Sequence, residues 1–230
     1  MEKKGKKKRN LFKRLILFIL LVLIIIFILF MLGMYVFETK VKTIVVHDNV
    51  VLNDKEIIEI ASLENYPNFY KVSITDTEKR IKNNEYVKDV EVKKNLLFEV
   101  HIYINEYKPL FIREDTNKIV LDTGKEVNNT NAHKLNIPSL VNYVPDTKYK
   151  TLIKKIDSID YEIVSKISDI KYDPNKYDED RFILYMNDSN RVYINLPKFK
   201  NLNKYDEMVT KFEGKTGTLY LDSGNYFEID

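Results

Sequence analysis

The chain has 230 residues, 44% hydrophobic and 31% charged, which is the composition of a folded protein rather than a disordered or collagen-like one. It contains no cysteine, so disulfide bonds, thiolate metal sites and cysteine nucleophiles are excluded. The formal net charge is +3, but residues 1–14 carry eight basic side chains and one acidic side chain, a net +7 that leaves −4 for the remainder. The basic character therefore belongs to the N-terminal tail.

A 23-residue stretch without charged side chains follows this tail, at residues 15–37. About 20 helical residues cross a hydrocarbon core of roughly 30 Å. The stretch exceeds the roughly 7–15 apolar residues of a signal peptide, and no small-residue cleavage site follows it. We therefore predict a cytoplasmic tail at 1–14 and one transmembrane helix at 15–37, with the rest of the chain outside. The basic residues that set this orientation are Lys6, Lys7, Lys8, Arg9, Lys13 and Arg14. Next to a span, such a cluster indicates contact with anionic lipid rather than nucleic acid.

Residues 38–108 show the order strand, helix, short extended piece, helix, strand, strand. Strict alternation of apolar residues from Phe98 to Ile104 predicts a strand with one buried face. Asn53 or Asp54 is expected to cap the first helix, and Thr75-x-x-Glu78 is expected to form a capping box for the second. The prediction is a small α+β domain with two helices on a three-stranded sheet. The remaining predicted pieces are a strand at 41–46, an extended piece at 69–72, a strand at 87–92 and a turn at 94–95.

Three stretches of this segment carry a resemblance to a known family. Residues 45–49 correspond to a strand of the family that ends in a V-x-G-N turn. Residues 86–92 correspond to its P-x-V-x-x-A-x-V strand, and residues 97–109 correspond to its L-x-I-x-V-x-E-R-x-P strand. The segment resembles the POTRA domain of the FtsQ/DivIB cell-division proteins. It departs from the family pattern at Asp48, Glu85 and Tyr107.

Residues 109–230 are predicted to form a second, mixed β-rich domain with two helices, at 146–164 and 198–212. The chain closes with strands at 219–221 and 226–229, separated by Asp222-Ser223-Gly224. This part resembles the β-domain of the same family. The expected fold is thus α+β: one N-terminal transmembrane helix, a POTRA-like α+β domain, and an FtsQ/DivIB-type β-domain.

Several short motifs imitate catalytic sites. Asp122-Thr123-Gly124 matches the aspartic-protease tripeptide, but a single copy is better explained as a hairpin turn. Ser168-x-x-Lys171 and Lys215-Thr216-Gly217 match two penicillin-binding motifs, yet they lie too close in sequence to build that site, and the third motif is scrambled. We expect no catalytic residue, and the chain is interpreted as a non-enzyme.

No cofactor or metal site is expected either. His47, His101 and His133 are isolated in sequence and lack carboxylates at ligand spacing. The acidic run near Asp178 lacks the glycine and the final glutamate of a calcium loop.

The family resemblance implies a function. It implies a non-enzymatic bitopic scaffold of the divisome, which links early and late division proteins at the septum during cell-wall synthesis. The implied partners are the two small bitopic proteins of the FtsB/DivIC and FtsL types, with the septal penicillin-binding protein as a further candidate, besides the membrane. Two alternatives are a membrane-anchored cell-wall hydrolase or transpeptidase, and a POTRA-bearing protein of sporulation.

Partner binding is expected at the last strand, because in the family this edge is offered to a partner segment. An edge strand has unpaired backbone groups that β-augmentation satisfies. The candidate contact residues are Leu219, Leu221, Ser223, Gly224, Tyr226 and Phe227. Leu219 and Leu221 have a second interpretation, in which they only close the core of the β-domain.

Overall fold

The computed structural model describes residues 3–129 and 135–230, with side chains from residue 13 onward. The chain divides into two compact units. One contains the residues up to Asn84 together with Asp89–Ile104, and the other contains Glu85–Lys88 together with Asn105–Asp230.

The first unit begins with helix α1, Lys3–Phe37. Its portion from Lys13 to Phe37 is the one helix among the described residues that is long and apolar enough to cross a membrane. The uncharged stretch predicted from the sequence lies within it, and the helix starts earlier, inside the basic tail.

The rest of the first unit is a three-stranded sheet with two helices, within the described residues. The sheet order is β1-β3-β2, and β1 runs parallel to β3 with Ile44 opposite Val100. Val100 and Ile102 are fully buried, which confirms the predicted alternation. The elements are β1 Thr43–His47, α2 Asp54–Ile60, a 3-10 helix Phe69–Lys71, α3 Ile74–Lys82, β2 Val87–Lys94 and β3 Glu99–Glu106.

The two helix starts differ in how well the sequence predicted them. Asn53 caps α2 as expected, and it forms a reciprocal capping box with Glu56. The capping box predicted at Thr75 and Glu78 is wrong. Ser73 caps α3 by accepting from the backbone N–H of Asp76, and the Glu78 carboxylate instead accepts from the backbone N–H of Val92. The cap lies two residues earlier than predicted, and Glu78 accepts from strand β2 rather than from the start of its own helix.

Two local predictions in this unit are also corrected. The expected extended piece at 69–72 is a 3-10 helix, because the Asn68 side chain accepts from the N–H groups of Tyr70 and Lys71 and curls the chain. Phe98 belongs to the turn before β3 rather than to the strand, with φ at +64°. The Asn95 side chain holds that turn by accepting from the N–H groups of Leu97 and Glu99.

The second unit is built on a sheet of nine strands within the described residues. The sheet order is β12-β11-β10-β9-β8-β7-β4-β5-β6. The strands are β4 Pro109–Arg113, β5 Lys118–Leu121, β6 Glu126–Asn128, β7 Ser139–Leu140, β8 Ile167–Tyr172, β9 Arg181–Met186, β10 Arg191–Asn195, β11 Gly217–Tyr220 and β12 Tyr226–Ile229. The sequence predicts a loop at residues 136–140, and its last two residues form the short strand β7 instead. The core lies where this sheet meets the helices, and its largest fully buried side chains include Phe111, Phe182, Phe199 and Tyr205.

The helix predicted at 146–164 is two helices, α4 Asp146–Asp157 and α5 Tyr161–Val164. The break is stabilised by side chains from elsewhere in the unit. The Lys108 ammonium donates to the carbonyl of Asp157, and the Asn203 side chain accepts from the N–H of Asp160. Apolar spacing alone did not reveal these partners.

The helix predicted at 198–212 also divides. A 3-10 helix covers Leu196–Lys204, α6 covers Tyr205–Val209, and a second 3-10 helix covers Thr210–Phe212. Leu196, Phe199 and Leu202 are buried and recur every third residue, which is the period of a 3-10 helix rather than an α-helix.

Candidate partner-binding surface

Strand β12 forms one edge of the large sheet. It pairs antiparallel with β11, and β11 in turn pairs parallel with β10. Strand β11 is therefore covered on both sides, whereas the outer side of β12 has no strand among the described residues.

The register shows which backbone groups of β12 point outward. Asp230 donates its N–H to the carbonyl of Thr216, and the two residues are directly opposite. Because hydrogen-bonded and non-hydrogen-bonded pairs alternate in an antiparallel ladder, Glu228 and Tyr226 also point their N–H and C=O groups toward β11. Phe227 and Ile229 then direct theirs toward the open edge. These four groups are the ones that an added strand would pair with.

An aromatic ladder covers the outer face of the sheet at this edge. The ring centroids of Tyr193 and Tyr220 are 5.2 Å apart, and those of Tyr220 and Tyr226 are 4.6 Å apart, with nearly parallel planes in both pairs. The guanidinium of Arg181 lies 5.0 Å from the Tyr193 ring centroid. The Tyr220 hydroxyl donates to the Glu228 carboxylate at 3.1 Å. The result is a continuous aromatic surface that ends at the exposed ring of Tyr226.

The four apolar and aromatic residues among the predicted contact residues fall into three groups. Leu219 and Leu221 are 2% and 0% exposed and belong to the core, so their side chains are closed to a partner. Phe227 is half-buried on the same core-facing side, stacked on Phe212 with centroids 4.2 Å apart. Tyr226 is 52% exposed on the outer face.

Ser223 and Gly224 lie in the turn between the last two strands. The turn is tied to the rest of the unit through Asp222, whose carbonyl accepts from the Lys198 ammonium at 2.7 Å. The Asp222 carboxylate accepts from the Ser223 N–H and lies 4.0 Å from the Arg181 guanidinium. The Ser223 N–H therefore helps to hold the turn through Asp222, and Gly224 follows it in the same turn.

A polar network that is buried at Asn190 and Tyr205 and reaches the exposed Asp188 holds β11 in place. The Asn190 side chain accepts from the Gly217 N–H at 2.9 Å and donates to the Tyr205 hydroxyl at 3.0 Å, and this hydroxyl donates to Asp188 at 2.8 Å. Burial raises the pKa of Tyr205 above its ordinary value, and the hydrogen bond to Asp188 acts in the same direction. The network fixes the strand on which β12 lies.

The sequence did not reveal Tyr193, Arg181 or Asn190 as parts of this surface. They come from β9, β10 and the turn between them, and only the sheet register brings them beside the C-terminal strands. One signal was available for Tyr193, because it alternates with the buried Val192 and Ile194 and so had to face outward.

The motifs that imitate catalytic sites have structural roles. Asp122-Thr123-Gly124 is the predicted turn between β5 and β6, with Gly124 at φ +82°. The Ser168 hydroxyl donates to the Asp169 carboxylate and to the carbonyl of Tyr185.

The histidines are less isolated than the sequence suggested. His47 and His101 stack across β1 and β3, with Nε2 and Nδ1 3.1 Å apart, and His47 also stacks on Tyr103. His133 lies outside the described residues.

Among the basic residues predicted to set the membrane orientation, Lys13 and Arg14 are exposed near the start of the apolar part of α1. The side chains of Lys6, Lys7, Lys8 and Arg9 lie outside the part of the chain whose side chains are described.

Comparisons with known proteins find relatives over most of the chain and a family model that matches the segment after α1. The profile of the FtsQ-type POTRA domain matches residues 39–107. Cell division protein DivIB of Bacillus subtilis (strain 168) is 31% identical over 230 residues, which cover 98% of this chain and 87% of that protein. DivIB of Listeria monocytogenes serovar 1/2a is 29% identical over 197 residues, covering 83% and 73%. Among solved structures, the major extracytoplasmic domain of the trans isomer of DivIB from Geobacillus stearothermophilus aligns with a TM-score of 0.39 at 20% identity, covering 47% of this chain and 96% of that one.

Proposed function

Because this chain belongs to the FtsQ/DivIB family of cell-division proteins, we propose that it is a non-enzymatic, single-pass scaffold of the divisome. In this proposal it links early and late division proteins during septal cell-wall synthesis, by binding other proteins through its domains outside the cytoplasm. The role of the chain in cell division follows from its family, whereas the scaffold mechanism is our proposal.

The observation that supports a scaffold most strongly is the open edge of β12. A strand whose outward N–H and C=O groups lack a neighbouring strand is a template for β-augmentation. The adjoining aromatic ladder adds side-chain contacts, and tyrosine is enriched at protein interfaces. We propose that a segment of a DivIC- or FtsL-type protein adds to β12 and contacts Tyr226. The septal penicillin-binding protein is a further candidate partner.

The proposed topology follows from charge. Lys13 and Arg14, together with the basic residues before them, precede the apolar part of α1, and the positive-inside rule keeps such a cluster in the cytoplasm. Both units would then lie outside the cytoplasm, at the division septum. Because the chain has no cysteine, single cysteines at Lys6 and Tyr177 can be labelled in intact cells with a membrane-impermeant maleimide. Labelling only at position 177 supports this topology, and labelling only at position 6 contradicts it.

The binding experiment compares the full chain with a truncation that ends at Asn225. Each is co-expressed with the DivIC- and FtsL-type proteins of the same bacterium, and the complexes are purified. We expect loss of both partners from the truncated chain. The matched control is Tyr177→Ala, which removes an aromatic ring that is 84% exposed in the same unit but outside the ladder. Retention of both partners by the truncated chain would contradict binding at β12.

Two further measurements address the alternatives. The purified full chain, incubated with peptidoglycan, should release no fragments and form no cross-links, whereas either product would favour the cell-wall enzyme. A fluorescent protein fused to the N-terminus should collect at mid-cell during vegetative division. Signal confined to sporulating cells would favour the sporulation alternative.

A further inference from the structure

The turn between β2 and β3 carries two leucines that the fold leaves uncovered. Leu96 is 96% exposed and Leu97 is 67% exposed, at the tip of a tight turn where polar residues and glycine are usual. Adjacent exposed leucines contribute nothing to the core of the unit. A pair of exposed leucines side by side indicates that they contact something apolar outside the unit.

The backbone places this turn beside the end of α1. The helix ends at Phe37, and the following residues are hydrogen-bonded rather than a free linker: Thr39 accepts from the N–H of Phe69, and Lys42 donates its N–H to the carbonyl of Phe98. The Asn68 side chain donates to the carbonyl of Phe37 at 2.6 Å. The leucine tip is thus fixed, through Phe98, within a few residues of the end of the membrane-spanning segment.

The side chains around this point have the composition of a membrane interface. An aromatic cluster joins α1 to the turn, with ring centroids of Phe37 and Tyr70 5.0 Å apart and those of Tyr70 and Phe98 6.5 Å apart. The Lys42 ammonium lies 5.0 Å from the Phe98 ring centroid. Aromatic rings and lysines beside apolar side chains are typical of the headgroup region of a bilayer. Exposed lysines at 40 and 71 add positive charge, which favours contact with anionic lipid headgroups.

Three consecutive N–H groups at the end of the turn, those of residues 97–99, already have an acceptor within it and need none from water. Asn95 accepts from the backbone N–H of Leu97 and of Glu99 through its side chain, and from that of Phe98 through its carbonyl. Unsatisfied backbone groups are what normally keep loops out of lipid.

We propose that the turn Asn95–Phe98 inserts Leu96 and Leu97 into the interfacial layer of the bilayer that α1 spans. The first unit is then held against the membrane at two points, the end of α1 and this turn. The inference concerns lipid contact, goes beyond the scaffold role, and requires only that α1 is inserted.

The absence of cysteine permits a direct test with the full chain. Single-cysteine variants L96C and L97C carry an environment-sensitive nitrobenzoxadiazole label, and the chain is reconstituted at one copy per nanodisc of phosphatidylglycerol and phosphatidylcholine. One copy per disc excludes a second chain as the covering partner. V50C is the matched control, because Val50 is an 83% exposed apolar residue beyond the other end of β1. I25C within α1 reports insertion of the span.

We expect blue-shifted emission at positions 96 and 97, with quenching by nitroxide-labelled lipid, and neither effect at position 50. Adding Leu97→Asp to the L96C variant should abolish the shift. The proposal is overturned if positions 96 and 97 behave like position 50 while position 25 is quenched, or if L96C keeps its shift beside the aspartate. Quenching at position 50 equal to that at 96 would also overturn it, since the contact would not be specific to the turn.

Discussion

The rings of Tyr220 and Tyr226 stack face to face across the last two strands, with centroids 4.6 Å apart and planes 14° from parallel. Tyr220 is covered on its other side by Tyr193, whereas Tyr226 is the outermost ring and remains exposed. The pair thus connects the interior of the sheet face to its open edge. Side chains at the edge are therefore expected to affect partner binding, and side chains behind them are expected to affect stability.

The two aromatic residues of β12 are expected to have different effects. If the proposed interface is correct, Tyr226→Ala should weaken partner binding by at least about tenfold, or roughly 1.4 kcal/mol. The thermal midpoint should change little, because the Tyr226 ring is exposed and lies outside the core. Phe227→Ala should cost roughly 1–3 kcal/mol of stability, because its half-buried ring packs on Phe212. Partner affinity and thermal midpoint measured on the same purified variants test both statements. A lowered midpoint with unchanged affinity for Tyr226→Ala would move the interface away from this ring.

Proline substitutions on neighbouring residues test the direction of the backbone groups. Ile229→Pro removes an N–H that points to the open edge, so partner affinity should fall while the unit stays folded. Glu228→Pro removes an N–H that points to β11, so stability should fall by about 1 kcal/mol or more. Urea unfolding and partner titration on both variants give the comparison. Equal destabilisation by the two prolines would show that the assigned register is wrong.

Gly217 is expected to tolerate no side chain. A Cβ at this position would lie 2.0 Å from the carbonyl oxygen of Glu228, on the neighbouring strand. Gly217→Ala should therefore displace β12 and cost about 1–3 kcal/mol, a range usual for overpacking. The control is Thr216→Ala at the preceding exposed position, which should leave the midpoint of urea unfolding nearly unchanged. An unaltered midpoint for Gly217→Ala would contradict the close approach of the two strands.

The Tyr205 network makes stability depend on alkaline pH. The folded state raises the pKa of Tyr205, so the folded chain keeps this proton at a pH where the unfolded chain loses it. The associated stability is fully present below the unfolded pKa of about 10 and is lost as pH rises from there toward the folded pKa. Between pH 9 and 11, the urea midpoint of the wild type should fall more steeply than that of Tyr205→Phe. Parallel curves would contradict a role for this hydroxyl.

The sequence predicted the elements whose signals are local. The uncharged stretch predicted α1, the alternation around Val100 predicted β3, and the cap at Asn53 predicted the start of α2. Each of these signals depends only on residues within or beside one element. The predicted division between domains at residues 108 and 109 stays a prediction.

Predictions from the sequence were wrong where contacts with residues distant in the chain determine the structure. Lys108 and Asn203 stabilise the break in the helix predicted at 146–164, and they lie far from it along the chain. The same limit applied to the candidate site. The final strand and Tyr226 were accessible from the sequence, but Tyr193 and Arg181 join them only through the register of β9, β10 and β11.

A cysteine scan tests most directly whether a partner strand adds to β12. A single cysteine replaces Ile229, a half-exposed edge residue, and single cysteines are placed at successive positions along the segment of the proposed DivIC- or FtsL-type partner that is expected to bind. Because side chains alternate along a strand, disulfide formation should rise and fall with a period of two partner residues, centred on one position. A period near 3.6 residues would indicate a bound helix instead, and the absence of cross-links from position 229 in a complex that still forms would contradict strand addition at this edge.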